Sequence, residues 1–225
     1  MISAVIFDLD GTVLDNEHIW EEVFAQVVNS YHLETNKLLR QPNGWLHEPG
    51  IGLVPNFRQL EPDIQKAEKL ARETRQLYKQ RIGEVKLAKG VEETAALAKR
   101  LGWLTALSTA SIWETVEEEL EATEMYLAFD VTTTGEEIIA NKPDPEIYLL
   151  TAYKLGVDPA ECIVIEDALA GVRAGKEAGM TCIGMVSGYA PEKMLTGAGA
   201  GWAVQDMRQA AGVLSDLSRV GRTST

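Results

Sequence analysis

Basic residues are scarce in this chain. Its 225 residues carry 21 Lys and Arg against 34 Asp and Glu, a formal net charge of −13. A field of that sign works against nucleic acid and anionic membrane surfaces as partners. It leaves room for an anionic small molecule, because a local cation or a bound metal overrides the global field. Cysteine is nearly absent: Cys162 and Cys182 each sit inside an apolar run, with no Cys-x-x-Cys spacing. That pattern points to two reduced core thiols, not to a disulfide framework. No apolar stretch approaches the roughly 20 residues of a membrane span. The first residues lack a basic start, and their apolar run is cut by Asp8 and Asp10, so a secretory leader is not expected. A cytoplasmic protein is the expectation. What remains is ordinary: 45% hydrophobic and 24% charged residues suit one large globular domain or two small ones.

The sharpest pattern stands first. Ile2-Ser3-Ala4-Val5-Ile6-Phe7 is a short apolar run that ends in Asp8. Asp10 follows two residues on, then Gly11-Thr12 and Asp15. Apolar residues bounded by a glycine turn predict a buried strand. Strand side chains alternate with period two, so Asp8 and Asp10 are expected to point the same way. Ligands of open α/β sheets sit outside the carboxyl ends of the strands. Two carboxylates there suggest a metal site or an acid/base pair, although turn chemistry alone accounts for Asp10, Gly11 and Thr12.

Residues 16–40 change character. Ile19, Trp20, Val23, Phe24, Val27 and Val28 recur at three- and four-residue spacing, a helical stripe. Residues 41–57 are rich in Pro and Gly and predict a long loop, of a length that is often functional. Residues 62–82 return to a helical pattern, opened by Pro62 and Asp63. Residues 16–87 thus predict an all-helical insertion. From Gly90 strand and helix alternate. Helices are expected over 91–101, 113–123, 145–155, 168–179 and 206–217, with Gly156 stopping the third. Strands are expected over 103–108, 129–133, 162–165, 181–186 and 202–204. Gly171, Gly175 and Gly179 recur every four residues, a spacing for close packing of helix on sheet. The tail from Ser218 is expected to fray. The sum is an α/β protein with a parallel sheet and right-handed helical crossovers.

Asp8, Asp10, Thr109, Glu166 and Asp167 all fall just past apolar strands, and Lys142 lies in Asn141-Lys142-Pro143-Asp144-Pro145. In a parallel sheet these strand ends share one edge, so the residues can converge. Four carboxylates in one place repel unless a cation joins them. An oxygen-only set fits Mg²⁺, which takes a few carboxylates plus substrate phosphate oxygens. The histidines, His18, His32 and His47, all fall in the insertion, where each is expected on the surface or in packing. Lys142 and the Thr109 hydroxyl suit the peripheral oxygens of a phosphoryl group. One aspartate can attack phosphorus while another moves the proton.

Asp8-Leu9-Asp10-Gly11-Thr12-Val13-Leu14-Asp15, Thr109, Lys142-Pro143-Asp144-Pro145, and Ile165-Glu166-Asp167 with Gly171-Val172 and Ala178-Gly179 resemble, in order, the four motifs of the haloacid dehalogenase superfamily. The likeness is greatest to its β-phosphoglucomutase and phosphoglycolate-phosphatase-like branch, and it spans most of the chain outside residues 35–87. The resemblance implies a Rossmann-like parallel sheet core made of residues 1–15 and 88–225, with a mobile all-helical cap domain over 16–87. It implies Mg²⁺-dependent phosphoryl transfer with Asp8 as nucleophile and Asp10 as acid/base. It assigns Thr109 and Lys142 to the transferring phosphate. It gives Mg²⁺ the side chains of Asp8 and Asp167, the backbone carbonyl of Asp10, and Glu166 directly or through water. Asp10 argues against the dehalogenases themselves, which lack that second aspartate.

The expected activity is that of a phosphatase acting on a small phosphorylated metabolite, as a monomer or weak homodimer. One alternative is a phosphomutase of the β-phosphoglucomutase kind. Those enzymes place a histidine on the first cap helix to couple closure to acid/base work. Trp20 falls near that place here, with His18 as a substitute if the register shifts, which favours the phosphatase. Another alternative is a phospho-acceptor switch, since receiver domains also gather carboxylates, a hydroxyl and a lysine on a parallel sheet. Within the Pro- and Gly-rich loop and just past it, Trp45, His47 and Arg58 stand out. Arg58 suits an anion clamp or a solvated helix face equally well, and Trp45 is expected to pack between cap helices. Asp15 reads as part of the hinge where the chain leaves the core.

Overall fold

The computed structural model describes residues 1–35, 41–125 and 129–220. Six described strands form one parallel sheet: β1 (Ala4–Phe7), β2 (Leu104–Ser108), β3 (Val131–Thr133), β4 (Cys162–Glu166), β5 (Thr181–Met185) and β6 (Trp202–Val204). Their spatial order is β3-β2-β1-β4-β5-β6. The order therefore reverses at β1, which opens a crevice at its carboxyl end. Phe7 stands opposite Leu107 on one side and Ile165 on the other. Asp8, Ser108 and Glu166 consequently start level along that edge.

The helices are α1 (Glu17–Ser30), α2 (Leu53–Arg58), α3 (Ile64–Lys79), α4 (Val91–Arg100), α5 (Trp113–Ala122), α6 (Glu146–Leu155), α7 (Leu169–Glu177), α8 (Glu192–Ala198) and α9 (Met207–Val220). Strand alternation sorts them. Val5, Phe7, Ile163, Ile165 and Ile183 pack with α4, α5 and α9 through Val91, Ala95, Val116, Met207 and Leu214. Ala4, Ile6, Ala106 and Val164 point the other way, onto Ile147 and Tyr148 of α6, Val172 of α7 and Leu195 of α8. Both faces of the sheet are thus covered, which is why its central strands read as unbroken apolar runs.

Helices α1, α2 and α3 make a separate apolar cluster of Phe24, Val27, Val28, Phe57, Ala67, Leu70 and Ala71. The chain leaves the sheet for them and returns at adjacent points. Asp15 N–H donates to Lys86 O, and Ala88 N–H to Val13 O, both at 2.8 Å. Asp15 therefore sits in a two-stranded neck between the sheet and the inserted helices.

Several boundaries differ from the sequence pattern. The first helix stops at Ser30, short of the stripe read over 16–40, and residues 36–40 of that stripe lie outside the described residues. The Pro- and Gly-rich stretch is not all loop, because α2 begins at Leu53. Pro55 falls in its first turn, where a missing N–H is harmless. Helix α8 was hidden by the glycines at its end. The last helix continues to Val220 instead of fraying at Ser218. No described helix is long and apolar enough to cross a membrane.

Candidate active site

Asp8 follows directly on β1 and donates its N–H to Ile165 O at 3.0 Å, which pins it against β4. Lys142 arrives from the loop before α6. Its Nζ donates to Asp8 Oδ1 and, at 2.7 Å, to Glu166 Oε1. Glu166 ends β4 and accepts also from Tyr148 Oη at 3.1 Å and from Ala168 N–H at 2.7 Å. Asp167 accepts from Thr12 Oγ1 at 3.0 Å and from Tyr189 Oη. Two glycines make the room. A Cβ on Gly171 would stand 1.5 Å from Glu166 Oε1, and one on Gly11 would stand 1.8 Å from Asp167 Oδ2.

Oxygens of Asp8, Glu166 and Asp167 lie within 4.8 Å of one another, and all three residues are buried. Burial raises the Asp8 carboxyl well above its ordinary value, and the Lys142 ammonium pulls against it. Burial and the neighbouring Glu166 raise Asp167 likewise. For Lys142 burial acts to lower the pKa, but Asp8 and Glu166 overcome it and the net shift is upward. One ammonium thus faces three buried carboxyls. An oxygen-only donor set with charge left over fits a hard divalent cation such as Mg²⁺.

The Asp10 carboxylate is not in that cluster. Its Oδ1 accepts from Asn16 Nδ2 at 2.7 Å and from Trp20 Nε1 at 2.8 Å. Its Oδ2 accepts from Ser111 Oγ at 2.9 Å and from Thr109 Oγ1 at 3.4 Å. Any part Asp10 has in metal binding therefore falls to its backbone carbonyl. Asp8 and Asp10 nevertheless line one cavity with Thr109 and Ser111, about 520 Å³ of empty space that opens to solvent. The insertion supplies its other wall: Glu17 and Trp20 from α1, His47, Gly50 and Gly52 from the loop, Leu53 from α2 and Arg75 from α3.

Residues singled out in the insertion fare differently. His18 is exposed beside Asp15, 3.8 Å away. Arg58 lines a groove with Pro55, Gln59, Ile139 and Asn141, not this cavity. Trp45 packs on Tyr189 with ring centroids 5.1 Å apart, against the sheet layer and not between the helices of the insertion. His47 is buried and faces the cavity. Arg75, Glu17, Asn16, Ser111 and Tyr189 were not singled out by sequence. Asn16 and Glu17 follow the first motif directly, and Ser111 stands two residues past Thr109; adjacency was the available signal. Arg75 has none, since it is one of several basic residues on an exposed-looking helix. It makes no hydrogen bond or ion pair with any described residue, and burial beside Arg72 lowers its pKa.

A two-sided parallel sheet with a carboxylate cluster at its switch point defines a class of protein, and the family comparison agrees. The model for haloacid dehalogenase-like hydrolases matches residues 5–185, and the chain belongs to that family. Over 201 residues it is 31% identical to the phosphorylated carbohydrates phosphatase of Thermotoga maritima, with 88% of this chain and 92% of the relative covered. Over 195 residues it is 31% identical to hexitol phosphatase B of Escherichia coli, with 81% and 82% covered. The β-phosphoglucomutase of Clostridium difficile superposes over the full length of both chains with a TM-score of 0.83 at 23% identity, a likeness of fold.

Proposed function

We propose that this hydrolase is a Mg²⁺-dependent phosphatase that cleaves a small phosphorylated carbohydrate through an aspartyl-phosphate on Asp8. The observation that carries the reading is the joint placement of Asp8 and Asp10 on one cavity, with Lys142 bonded to Asp8. Residues 1–15 and 88–225 act as the catalytic core, and 16–87 as a cap whose residues wall the cavity.

Asp8 is the nucleophile, and Lys142 fixes its side chain. An Asp8 oxygen attacks phosphorus, the bond to the leaving oxygen breaks, and Asp10 gives that oxygen its proton. Asp10, now a carboxylate, takes a proton from water, which attacks the phosphoryl group and frees Asp8. Thr109 and Lys142 hold peripheral phosphoryl oxygens. Asp8, Glu166, Asp167 and the Asp10 carbonyl would hold Mg²⁺, which when bound offsets the charge of the phosphoryl group.

Trp20 supports hydrolysis over mutase chemistry. By the resemblance it falls near the place where the mutases carry a histidine, and its indole N–H bonds Asp10. Indole donates a hydrogen bond but neither gains nor loses a proton near neutral pH. It can hold Asp10 without taking part in proton exchange. Turnover of phenyl phosphate with Mg²⁺ tests the reading. Activity is expected in the native chain and is expected to vanish in Asp8→Asn and with a chelator. Retained activity in Asp8→Asn would overturn the assignment of the nucleophile.

A further inference from the structure

Two buried polar atoms in the cavity wall have no hydrogen-bond partner among the described residues: Glu17 Oε2 and His47 Nδ1. Each residue is only 5% exposed. The two atoms face each other at 3.5 Å, an ion-pair contact longer than the usual hydrogen-bond range of about 2.7–3.2 Å. A buried carboxylate oxygen and a buried ring nitrogen left in this way are costly, and such groups call for an explanation.

The pair is built, not accidental. His47 N–H is held by Glu21 Oε2 at 2.8 Å. Its ring leans on Phe24, centroids 5.5 Å apart. The loop behind it is tied by Asn56, which accepts from Glu48 N–H at 2.8 Å and donates to Glu48 O at 2.9 Å. On the other side Glu17 lies close over Gly11, where an added Cβ would come within 2.8 Å of its Cγ.

We propose that Glu17 and His47 form a subsite that reads a free hydroxyl on the leaving group. A hydroxyl donates one hydrogen bond and accepts others. An oxygen placed about 2.8 Å from both atoms spans the gap between them, a normal hydrogen-bond length. It donates to Glu17 Oε2 and accepts from His47 Nδ1–H. The Glu17 carboxylate repels a second anionic group at this point. The subsite therefore takes a neutral polyhydroxy chain, and it selects polyol or sugar phosphates over phosphates whose leaving group lacks hydroxyls.

This inference rests on the phosphatase reading. The test compares sorbitol 6-phosphate with phenyl phosphate in the full chain and in Glu17→Gln and His47→Ala. The ratio of kcat/KM between the two substrates is expected to favour sorbitol 6-phosphate in the native chain. It is expected to fall about tenfold or more in each variant, mainly through KM, the scale of one hydrogen bond to a charged group. A ratio unchanged in both variants, or no preference in the native chain, overturns the subsite. A calorimetric arm keeps the two readings apart. Sorbitol 6-phosphate is titrated into Asp8→Asn and into Asp8→Asn/Glu17→Gln. Weaker binding in the double variant supports the subsite even if turnover is never seen, and equal Kd overturns it. Absent turnover of both substrates in the native chain counts against the phosphatase reading alone.

Discussion

A hydrogen in place of a methyl decides whether Glu166 has room. Gly171 stands one turn into α7, directly over that carboxylate, and a Cβ there would sit 1.5 Å from Oε1. Glu166 would have to move, and with it the bonds from Lys142, Tyr148 and Ala168. Gly171→Ala is expected to destabilise the protein by about 1–3 kcal/mol, the range for overpacking. On the proposed Mg²⁺ role it should also weaken activation by the metal by about tenfold or more, the effect of disturbing what supports a ligand. Thermal melts and Mg²⁺ titrations of turnover check both. Gly179→Ala is the control: nothing lies within 4 Å of its added Cβ, but φ is +79°. It should cost about 1–2 kcal/mol, the penalty for a left-handed residue that carries a Cβ, and leave the Mg²⁺ dependence alone. The sequence groups these glycines as one packing stripe, and the structure separates them. Gly171 clears a carboxylate, and Gly175 clears Cys182 Sγ, which would lie 2.6 Å from its Cβ. Gly179 ends the helix in a left-handed conformation, with Met180 N–H returning to Gly175 O at 2.9 Å. Spacing shows which residues share a helix face but not what stands across from it.

At the scale of elements, α1 and α3 reach Asp10 through one bonded cluster. Trp20 stacks flat on Tyr78, centroids 3.6 Å apart at 2°. Tyr78 Oη donates to Glu119 Oε1 of α5 at 2.6 Å and accepts from Asn16 Nδ2 at 2.8 Å. Asn16 in turn donates to Asp10 and accepts from Gly11 N–H at 3.1 Å. The stack fixes the indole, and the indole fixes Asp10. Tyr78→Phe keeps the ring but leaves Glu119 without its shortest donor. The expected cost is about 1–3 kcal/mol of stability, the penalty for a buried group left unpaired. Because Asn16 loses the hydroxyl that helps hold its amide against Asp10, while the proposed phosphoryl contacts are untouched, kcat should fall several-fold with KM little changed. Equal loss in both parameters would place Tyr78 in substrate binding instead. Part of this cluster was legible in the sequence. Trp20 stood out as near the place where the resemblance puts a functional residue on the first helix. Glu119 was not, because it hides among Glu114, Glu117, Glu118 and Glu121. Its spacing of three from Val116 and four from Thr115 puts it on the inner face, a signal that the charge of the helix obscured.

Across the whole molecule, the sheet was legible for a physical reason. Parallel strands buried on both faces are apolar runs, and an acidic, hydroxyl or basic residue at the end of such a run stands out. That pattern places Asp8, Asp10, Thr109, Glu166 and Asp167 on one edge, and Lys142 stands out on its proline-flanked loop. The insertion was less legible because its Pro- and Gly-rich segment has no period: Arg58 drew notice without a settled role, Arg75 faces the cavity without having drawn any, and His47, expected on the surface or in packing, meets Glu17. The same packing of insertion on core buries Glu119, whose carboxyl is raised well above its ordinary 4.5, first by burial and then by Asp10. The consequence for stability has a definite sign. Above pH 4.5 the unfolded chain releases this proton while the folded chain keeps it, so the folded state binds more protons and stability falls as pH rises. The contribution is fully present below 4.5 and is lost as pH passes through the raised value. Glu119→Gln is neutral in both states and can still accept from Tyr78. The unfolding free energy of Glu119→Gln relative to the native chain should therefore climb as pH rises above the ordinary carboxylate value, by about 1.4 kcal/mol for each pH step below the folded value. Urea melts at several pH values in one buffer system with constant Mg²⁺ read that difference. A difference that stays flat, or that narrows as pH rises, would mean that Glu119 is already ionised in the folded protein.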